Sequence, residues 1–279
     1  MSNDLAGALD LHVHAAPDVR PRKATMLEVA RAAASAGMRA IVLKSHHEHT
    51  AGHAAVLSGL ISGITVIGGV TLNRAVGGLN PEAVETTAAL GGRIVWMPTF
   101  TAAHHLRVDG KPAERGVTVL DERGRLSAAA YDVLDVVAAR GLTLATGHLS
   151  PTESALLVPE ARRRGVRAVI VTHPEASFID VPLDLQQQLA GIDGVYFERC
   201  YNSALRNGAP SAPRLDEIAR AIRAVGVATT ILSSDLGQPE NPFPTDGLRA
   251  YHRALLERGF TPADLDAMAR TNPAAALGL

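Results

Sequence analysis

The sequence is poor in cysteine and in aromatic residues, and its positive and negative charges nearly balance. It contains a single cysteine, Cys200, which excludes a disulfide within the chain and fits a reducing compartment. Lys and Arg number 27 against 28 Asp and Glu, so no basic stripe predicts a nucleic-acid partner. The apolar runs are interrupted well before the about 18 residues of a membrane span, and no basic-then-apolar signal segment opens the chain. We expect a cytoplasmic globular protein with neither a nucleic-acid partner nor a membrane segment.

The length of 279 residues allows a large core and suits one α/β barrel or two small domains. No shift in composition marks a boundary between domains. The sequence therefore predicts a single domain over residues 1–279.

Short strand-forming runs alternate with helical stretches along the whole chain. Several runs, such as Ala-Ile-Val-Leu at 40–43, are apolar throughout, which is typical of parallel strands covered on both faces. The eight predicted strands are Ala8 to His12, Ala40 to Leu43, Thr65 to Val70, Arg93 to Met97, Thr143 to Thr146, Ala168 to Val171, Gly194 to Phe197 and Thr229 to Leu232.

The predicted helices between these strands end in a repeated pattern. Glycine follows five of them, at 37, 91, 141, 165 and 226, where a helix end needs a left-handed residue before the next strand. Repeated helix–glycine–strand joints favour an α/β fold, a single (β/α)8 barrel, over a doubly wound sheet. The predicted helices are Met26 to Ala36, His53 to Ile61, Pro81 to Leu90, Ala128 to Arg140, Pro151 to Arg164, Leu183 to Ala190 and Leu215 to Val225.

Two stretches break this rhythm. The segment 101–125 is long and charged and carries His104 and His105, which predicts an inserted β-hairpin or flap. The segment 202–213 is rich in Gly, Pro, Asn and Ser, which predicts a mobile loop over the site.

The first strand ends in two histidines that flank one valine. Side chains alternate along a strand, so His12 and His14 point the same way, about 6 to 7 Å apart. Two neutral imidazoles so placed can chelate one divalent cation, and Asp10 or backbone carbonyls can orient the rings. Taken alone, the pair could equally be a strand end in contact with water.

The ends of the other strands collect most of the remaining histidines. Of 11 histidines, only His252 lies away from a strand end, a loop after a strand or the start of the next helix. Histidines scattered at random would not gather on one rim, and imidazole with carboxylate suits zinc, manganese or iron. We therefore predict a divalent-metal site at the carboxyl ends of the strands. The groups there are His12 and His14; Lys44, His46, His47 and His49; His148; His173 and Glu175; Glu198 and Arg199; and Asp235.

This arrangement resembles the amidohydrolase superfamily of metal-dependent (β/α)8 hydrolases. The family signature is HxH after the first strand, a histidine after each of the fifth and sixth, and an aspartate after the eighth. The C-terminal segment 271–279 also resembles the terminal segment of that family. The resemblance implies a metal ligand set of His12, His14, His148, His173 and Asp235.

One position departs from the family pattern. Binuclear members carry a bridging lysine, glutamate or cysteine after the fourth strand, where this chain has Trp96-Met97-Pro98-Thr99. Lys44 and Glu198 are the candidates for a substitute, and Lys44 could instead hold a substrate carboxylate. We expect one tightly held divalent ion, with zinc as the first candidate and manganese or iron as the others.

The resemblance implies hydrolysis of a small-molecule amide, cyclic amide, lactone or ester by a metal-activated water. Asp235 would transfer the proton, and His173 would ligate the metal or polarise the substrate carbonyl. Positive charge near the rim predicts an anionic substrate; its candidate sources are Lys44, Arg20, Arg22, His104 and Arg199.

The sequence is compatible with other functions as well. A phosphoesterase of the polymerase-and-histidinol-phosphatase type also opens with HxH. Proteins of that type resemble one another in carrying an acidic metal ligand after the third strand and a terminal Asp-x-His. Here these positions read Gly68-Gly69-Val70-Thr71 and Ser234-Asp235-Leu236. A metal-dependent decarboxylase would also carry such a histidine-rich rim, and so would an inactive metal- or ligand-binding barrel. A homo-oligomer is compatible with each of these functions.

Overall fold

The structure, a computed structural model, describes residues 4–279. All eight predicted strands form, with ends shifted by a few residues. The third is interrupted and counts as two strands, and two short strands form in the segment 202–213. In chain order the strands are β1 Leu9–Val13, β2 Ala40–Leu43, β3 Thr65–Ile67, β4 Gly69–Thr71, β5 Ile94–Trp96, β6 Thr143–Ala145, β7 Ala168–Thr172, β8 Val195–Cys200, β9 Leu205–Arg206, β10 Ala209–Pro210 and β11 Thr230–Ser233.

Apart from β9 and β10, the strands pair in parallel in the order of a barrel. One sheet runs β1-β2-β3 and a second runs β4-β5-β6-β7-β8-β11. The break between β3 and β4 lies at Gly68, where a β-carbon would overlap the backbone of Thr50. The last strand returns to the first, because the Asp235 amide donates to the His12 carbonyl and the His14 amide donates to the Leu236 carbonyl, each at 2.8 Å. The predicted α/β (β/α)8 barrel is confirmed.

The helices between the strands include all seven predicted ones. The glycines at 37, 91, 141, 165 and 226 all have positive φ, as their position after a helix predicts. Four further helices were not predicted: Ala103–Val108, Pro244–Leu256, Pro262–Asp266 and Asn272–Leu277. In chain order the helices are α1 Met26–Ser35, α2 Ala51–Leu60, α3 Pro81–Ala89, α4 Ala103–Val108, α5 Ala128–Ala139, α6 Pro151–Arg163, α7 Leu183–Ala190, α8 Ala212–Val225, α9 Pro244–Leu256, α10 Pro262–Asp266 and α11 Asn272–Leu277. None of the helices in residues 4–279 combines the length and apolar character that a membrane crossing needs.

The two irregular segments differ from what the sequence predicts. The segment 101–125, predicted as an inserted β-hairpin or flap, contains α4, a short 3-10 turn at 113–115 and an antiparallel bridge between Leu120 and Leu126. In 202–213 the chain forms a small antiparallel hairpin of β9 and β10. The two segments nevertheless contribute residues to the rim, as described below.

The C-terminal segment closes the end of the barrel opposite to the histidines. Ala274, Ala276 and Leu277 of α11 pack with the aliphatic residues inside the barrel. The hydroxyl of Thr143, at the start of β6, donates to the carbonyl of Ala276 at 2.7 Å. Because parallel strands all begin at the same end, α11 covers the amino ends and leaves the carboxyl ends for a site.

Candidate metal centre

A cavity of about 560 Å³ opens at the carboxyl ends of the strands. The five side chains for which the resemblance implies metal binding all line it. They come from four places on the rim: His12 and His14 from β1, His148 after β6, His173 after β7 and Asp235 after β11. The barrel thus brings residues more than 200 positions apart to one cavity.

Three of these side chains converge on one point. The Asp235 Oδ1 atom lies 3.1 Å from His12 Nε2 and 3.1 Å from His14 Nε2. One ligand atom from each residue falls within 4.8 Å of the other two. We call His12, His14 and Asp235 the metal triad. Its spacing fits side chains that share one ion, because ligand atoms about 2.0 to 2.2 Å from a metal lie roughly 3 Å from each other.

The hydrogen bonds behind the imidazoles determine which nitrogens face the centre. His12 Nδ1 lies 3.1 Å from Glu198 Oε2, and His14 Nδ1 lies 3.0 Å from the carbonyl oxygen of Lys44. Both partners can accept a proton from Nδ1, so a cation bound between the Nε2 atoms and Asp235 would have each Nε2 free as a ligand. Two imidazole nitrogens and a carboxylate oxygen meet at the metal triad. Such a donor set fits a divalent cation.

Burial shapes the charges of the metal triad. Desolvation lowers the pKa of His14 to about 4, even though Asp235 acts in the opposite direction. Burial alone would raise the pKa of Asp235, but the adjacent His12 and His14 outweigh it and hold that pKa below its ordinary value. A neutral imidazole beside an ionised carboxylate is the form that metal ions require of these ligands.

The loop after β11 places Asp235 by backbone geometry as well as by charge. Asp235 has a φ of 52° and Gly237 a φ of 133°. A β-carbon at Gly237 would overlap the backbone carbonyl of His14, so only glycine permits this approach of the loop to β1. The second carboxylate oxygen, Oδ2, accepts a hydrogen bond of 3.1 Å from the side-chain amide of Asn202.

A second group of potential ligands consists of His12, Glu198 and Cys200, all buried. Glu198 and Cys200 lie on the Nδ1 side of His12. Burial raises the pKa of the Cys200 thiol well above its ordinary value, which disfavours the thiolate that a metal needs. Glu198 also accepts a hydrogen bond of 2.9 Å from the Ser233 hydroxyl. These contacts favour an orienting role for Glu198, with the candidate cation site on the Nε2 side of His12.

His148 and His173 line the cavity but lie outside the metal triad. The ring centroid of His173 lies 5.9 Å from that of His12 and 5.1 Å from that of His148. Burial lowers the pKa of His173 to about 3 and the pKa of His148 well below its ordinary value, so both rings are neutral at pH 7. His173 has a φ of 30°, and its Nδ1 atom is buried without a partner in the described chain. His148 Nδ1 faces His105 Nδ1 at 3.1 Å.

Lys44 lies beside the metal triad, on the Nε2 side of His12. Its side chain is 2% exposed, and its Nζ atom is 3.1 Å from His12 Nε2. Desolvation lowers its pKa, although Asp235 and Glu198 act in the opposite direction. No carboxylate between residues 4 and 279 lies within ion-pair distance of it. The Nζ atom instead lies 5.1 Å from the ring centroid of Trp96, the last residue of β5.

The remaining rim residues divide into those that reach the cavity and those that do not. Arg20, Arg22 and His46 line it. Arg199 does not, because its buried guanidinium pairs with Glu175 and with Gln186 Oε1. The prediction that Arg199 supplies positive charge at the rim is therefore wrong. The other histidines of these loops bond to their own surroundings: His49 to Thr87, His104 to the Phe178 carbonyl, and His47 lies 3.5 Å from Asp18.

The cavity also contains residues that the sequence did not single out. Phe100 and Phe178 contribute rings, and Gln238 and Glu240 contribute polar groups. Each lies in a loop that follows a barrel strand, and this position is the signal that could have identified them.

Comparison with known proteins places the chain in a family. The sequence profile of DUF6282, described as a family of unknown function, matches residues 7–198. The chain belongs to DUF6282. That match spans β1 to Glu198 on β8, so it includes His12 and His14 of the metal triad but not Asp235. No curated protein sequence matches the chain.

Solved structures share the fold over nearly the whole chain. An amidohydrolase from Pseudomonas aeruginosa is 12% identical with a TM-score of 0.69, covering 99% of this chain and 98% of that chain. A proposed 2-pyrone-4,6-dicarboxylic acid hydrolase from Pseudomonas putida is 16% identical with a TM-score of 0.66, covering 98% and 97%. An amidohydrolase from Burkholderia multivorans with bound zinc is 14% identical with a TM-score of 0.60, covering 98% and 100%. The resemblance to the amidohydrolase superfamily is thus confirmed for the fold.

Proposed function

We propose that this protein is a metal-dependent hydrolase that acts on a small-molecule amide, cyclic amide, lactone or ester. The observation that carries this proposal is the convergence of two imidazole nitrogens and one carboxylate oxygen in an open cavity. The orientation of these imidazoles, held by Glu198 and the Lys44 carbonyl, supports it further. The similar amidohydrolase folds agree with this chemistry.

The metal triad would hold one divalent ion, and zinc is our first candidate. Two imidazoles and one carboxylate leave room for water, as in catalytic zinc sites, and a similar fold from Burkholderia multivorans binds zinc. Such an ion supplies Lewis-acid activation of water at neutral pH. His148 and His173 remain candidates for further ligands, because both line the same cavity.

Asp235 has the position and the protonation state of a proton carrier. Its carboxylate is ionised, its Oδ1 atom faces His12 and His14, and its Oδ2 atom accepts a hydrogen bond from Asn202. During hydrolysis it would accept a proton from the attacking water and deliver it to the leaving oxygen or nitrogen. His173, neutral and buried on the cavity wall, would contact the substrate carbonyl or the cation.

Replacement of Asp235 by asparagine tests this role, because the amide keeps the size but accepts no proton. We expect turnover of a panel of lactones, cyclic amides and esters to fall by about 100-fold or more at saturating metal. Asp193→Asn is a matched control, because Asp193 is fully exposed and precedes β8, at the end of the barrel opposite to the rim. If Asp235→Asn turns over substrate at the normal rate with full metal, Asp235 is neither a proton carrier nor a required metal ligand.

The same panel separates this proposal from a phosphoesterase. Thr71 ends β4, and Asn73 follows it with its side chain bonded to Thr99 and to the His46 carbonyl. The position therefore offers no acidic ligand for a second ion. Turnover of phosphomonoesters without turnover of any amide, lactone or ester would overturn the hydrolase proposal.

A further inference from the structure

We propose that Arg20 binds the carboxylate of a substrate whose planar ring lies against aromatic side chains of the cavity. This inference rests on the proposed function, since it names the substrate class of the same site. Its basis is the contrast between two arginines and the arrangement of rings beside the metal triad.

The two arginines of the loop after β1 differ in their partners. Arg22 pairs with Asp18 at 2.7 Å, and its Nη2 atom lies 3.3 Å from His14 Nδ1. Its charge is therefore neutralised within the protein. The guanidinium of Arg20 lies 3.8 Å above the centroid of the Phe100 ring, and no carboxylate of residues 4–279 pairs with it. Arg20 lines the cavity with its hydrogen-bond donors available to a ligand.

The contact with Phe100 holds Arg20 in place without consuming its donors. A guanidinium over a ring face gains a cation–π attraction while the donors at its edge stay free. Arginine with a free planar edge binds carboxylates through two parallel hydrogen bonds. A carboxylate is therefore the partner that this arrangement recognises.

Aromatic side chains line the cavity from Arg20 towards the metal triad. Phe100 contacts His105 and His148, with ring centroids 5.2 Å and 5.6 Å apart. Phe178 contacts His148 and His173, at 4.9 Å and 5.3 Å. We call these five residues the ring wall. Their side chains offer flat, weakly polar surfaces, against which a planar unsaturated ring packs better than a flexible aliphatic chain.

The ring wall joins Arg20 at one end to His173, and hence to the metal triad, at the other. A substrate carboxylate on Arg20 and a ring along the wall would direct the far side of the molecule to His12 and Asp235. The substrate class is thus a planar ring acid that carries a hydrolysable lactone, ester or amide bond. In its hydrolysis water adds to the carbonyl carbon, the C–O or C–N bond breaks, and the leaving atom takes the proton.

Glu240 is the other charged side chain of the cavity to consider. It lies in the loop after β11, is exposed, and makes no ion pair in the described part of the chain. A carboxylate on Arg20 would be repelled by Glu240 or left unaffected. Glu240→Gln should therefore bind a ring acid at least as tightly as the unmodified protein does.

Binding of benzoate to the metal-loaded protein tests the inference without any turnover. Benzoate carries the ring and the carboxylate but no bond to hydrolyse, and titration calorimetry measures its affinity. Arg20→Gln should weaken benzoate about ten- to one-hundredfold, the scale of a charged hydrogen bond, and leave uncharged benzamide unchanged. Arg31→Gln on α1 is the matched control, because Arg31 is an exposed arginine outside the cavity.

Phe178→Leu tests the ring wall separately, because Phe178 packs against His148 and His173 while the Arg20 guanidinium lies over Phe100. It should reduce the preference for benzoate over cyclohexanecarboxylate, whereas Arg20→Gln should weaken both acids alike. Equal benzoate affinity of the unmodified protein and Arg20→Gln would overturn the inference, since the carboxylate would then be held elsewhere, for example by the cation. A fall in benzoate affinity in Glu240→Gln would overturn it too.

The outcomes separate this inference from the proposed hydrolysis. If benzoate binding depends on Arg20 but no ring ester, lactone or amide is hydrolysed, the carboxylate site stands and the hydrolase proposal fails. If neutral lactones are hydrolysed and benzoate binding ignores Arg20, the hydrolase stands and the inference fails.

Discussion

Two parts of the rim carry histidines in different ways. Where β1 meets β11, side-chain nitrogens and oxygens converge, with Asp235 Oδ1 at 3.1 Å from each imidazole. After β6 and β7, His148 and His173 pack edge and face against each other and against Phe178. The first arrangement concentrates lone pairs, and the second buries ring surface. We propose that the first arrangement suits binding of a metal ion and that the second suits contact with a substrate.

The largest expected effect of this difference is on metal content. His14→Ala should remove most of the bound metal, because it deletes one of three convergent ligand atoms. His148→Ala should retain most of it, because His148 lies outside that group. Elemental analysis of protein purified without chelator measures both. Equal losses in the two variants would show that the two parts of the rim form one ligand set.

A smaller effect is expected from the carboxylate behind His12. Glu198→Gln removes the charge that accepts the His12 Nδ1 proton but keeps the size of the side chain. We expect metal affinity to fall by about 10- to 100-fold, the scale for residues that orient metal ligands. Competition with a chelator of known affinity measures it. An unchanged affinity would contradict the orienting role, and complete loss of metal would indicate that Glu198 is itself a ligand.

The sequence predicts which residues lie on the rim, but not the directions in which their side chains point. Strand alternation and strand order suffice to place His12, His14 and Asp235 on one rim, and the structure brings them together. The directions of His173 and Asp235 depend on φ values of 30° and 52°, which tertiary contacts impose on non-glycine residues. Sequence patterns do not encode such conformations. The pairing of Arg199 with Glu175 was also hidden, since it depends on how β8 packs against the loop after β7.

The one histidine away from the rim provides the smallest effect. His252 is 5% exposed, its Nε2 atom has no partner among the described residues, and burial lowers its pKa from 6.5 to about 4. As the pH falls from 6.5 to 4, His252 binds a proton in the unfolded chain but stays neutral in the folded protein. His252 therefore removes up to about 3 kcal/mol of stability across that window, and no more below it.

His252→Leu should lessen this pH dependence while leaving metal content unchanged. Urea unfolding of both proteins at pH 7 and pH 5 measures the difference in the free energy of unfolding. The same fall in stability between the two pH values in both proteins would show that other groups cause it.

We expect His12, His14 and Asp235 together to hold a divalent ion. Anomalous diffraction at the zinc absorption edge, from crystals of the protein loaded with zinc, tests this claim most directly. We predict an anomalous peak about 2 Å from His12 Nε2, His14 Nε2 and an oxygen of Asp235. A peak bound by His148 and His173 without the β1 histidines, or no peak in the cavity of a zinc-loaded crystal, would contradict the account.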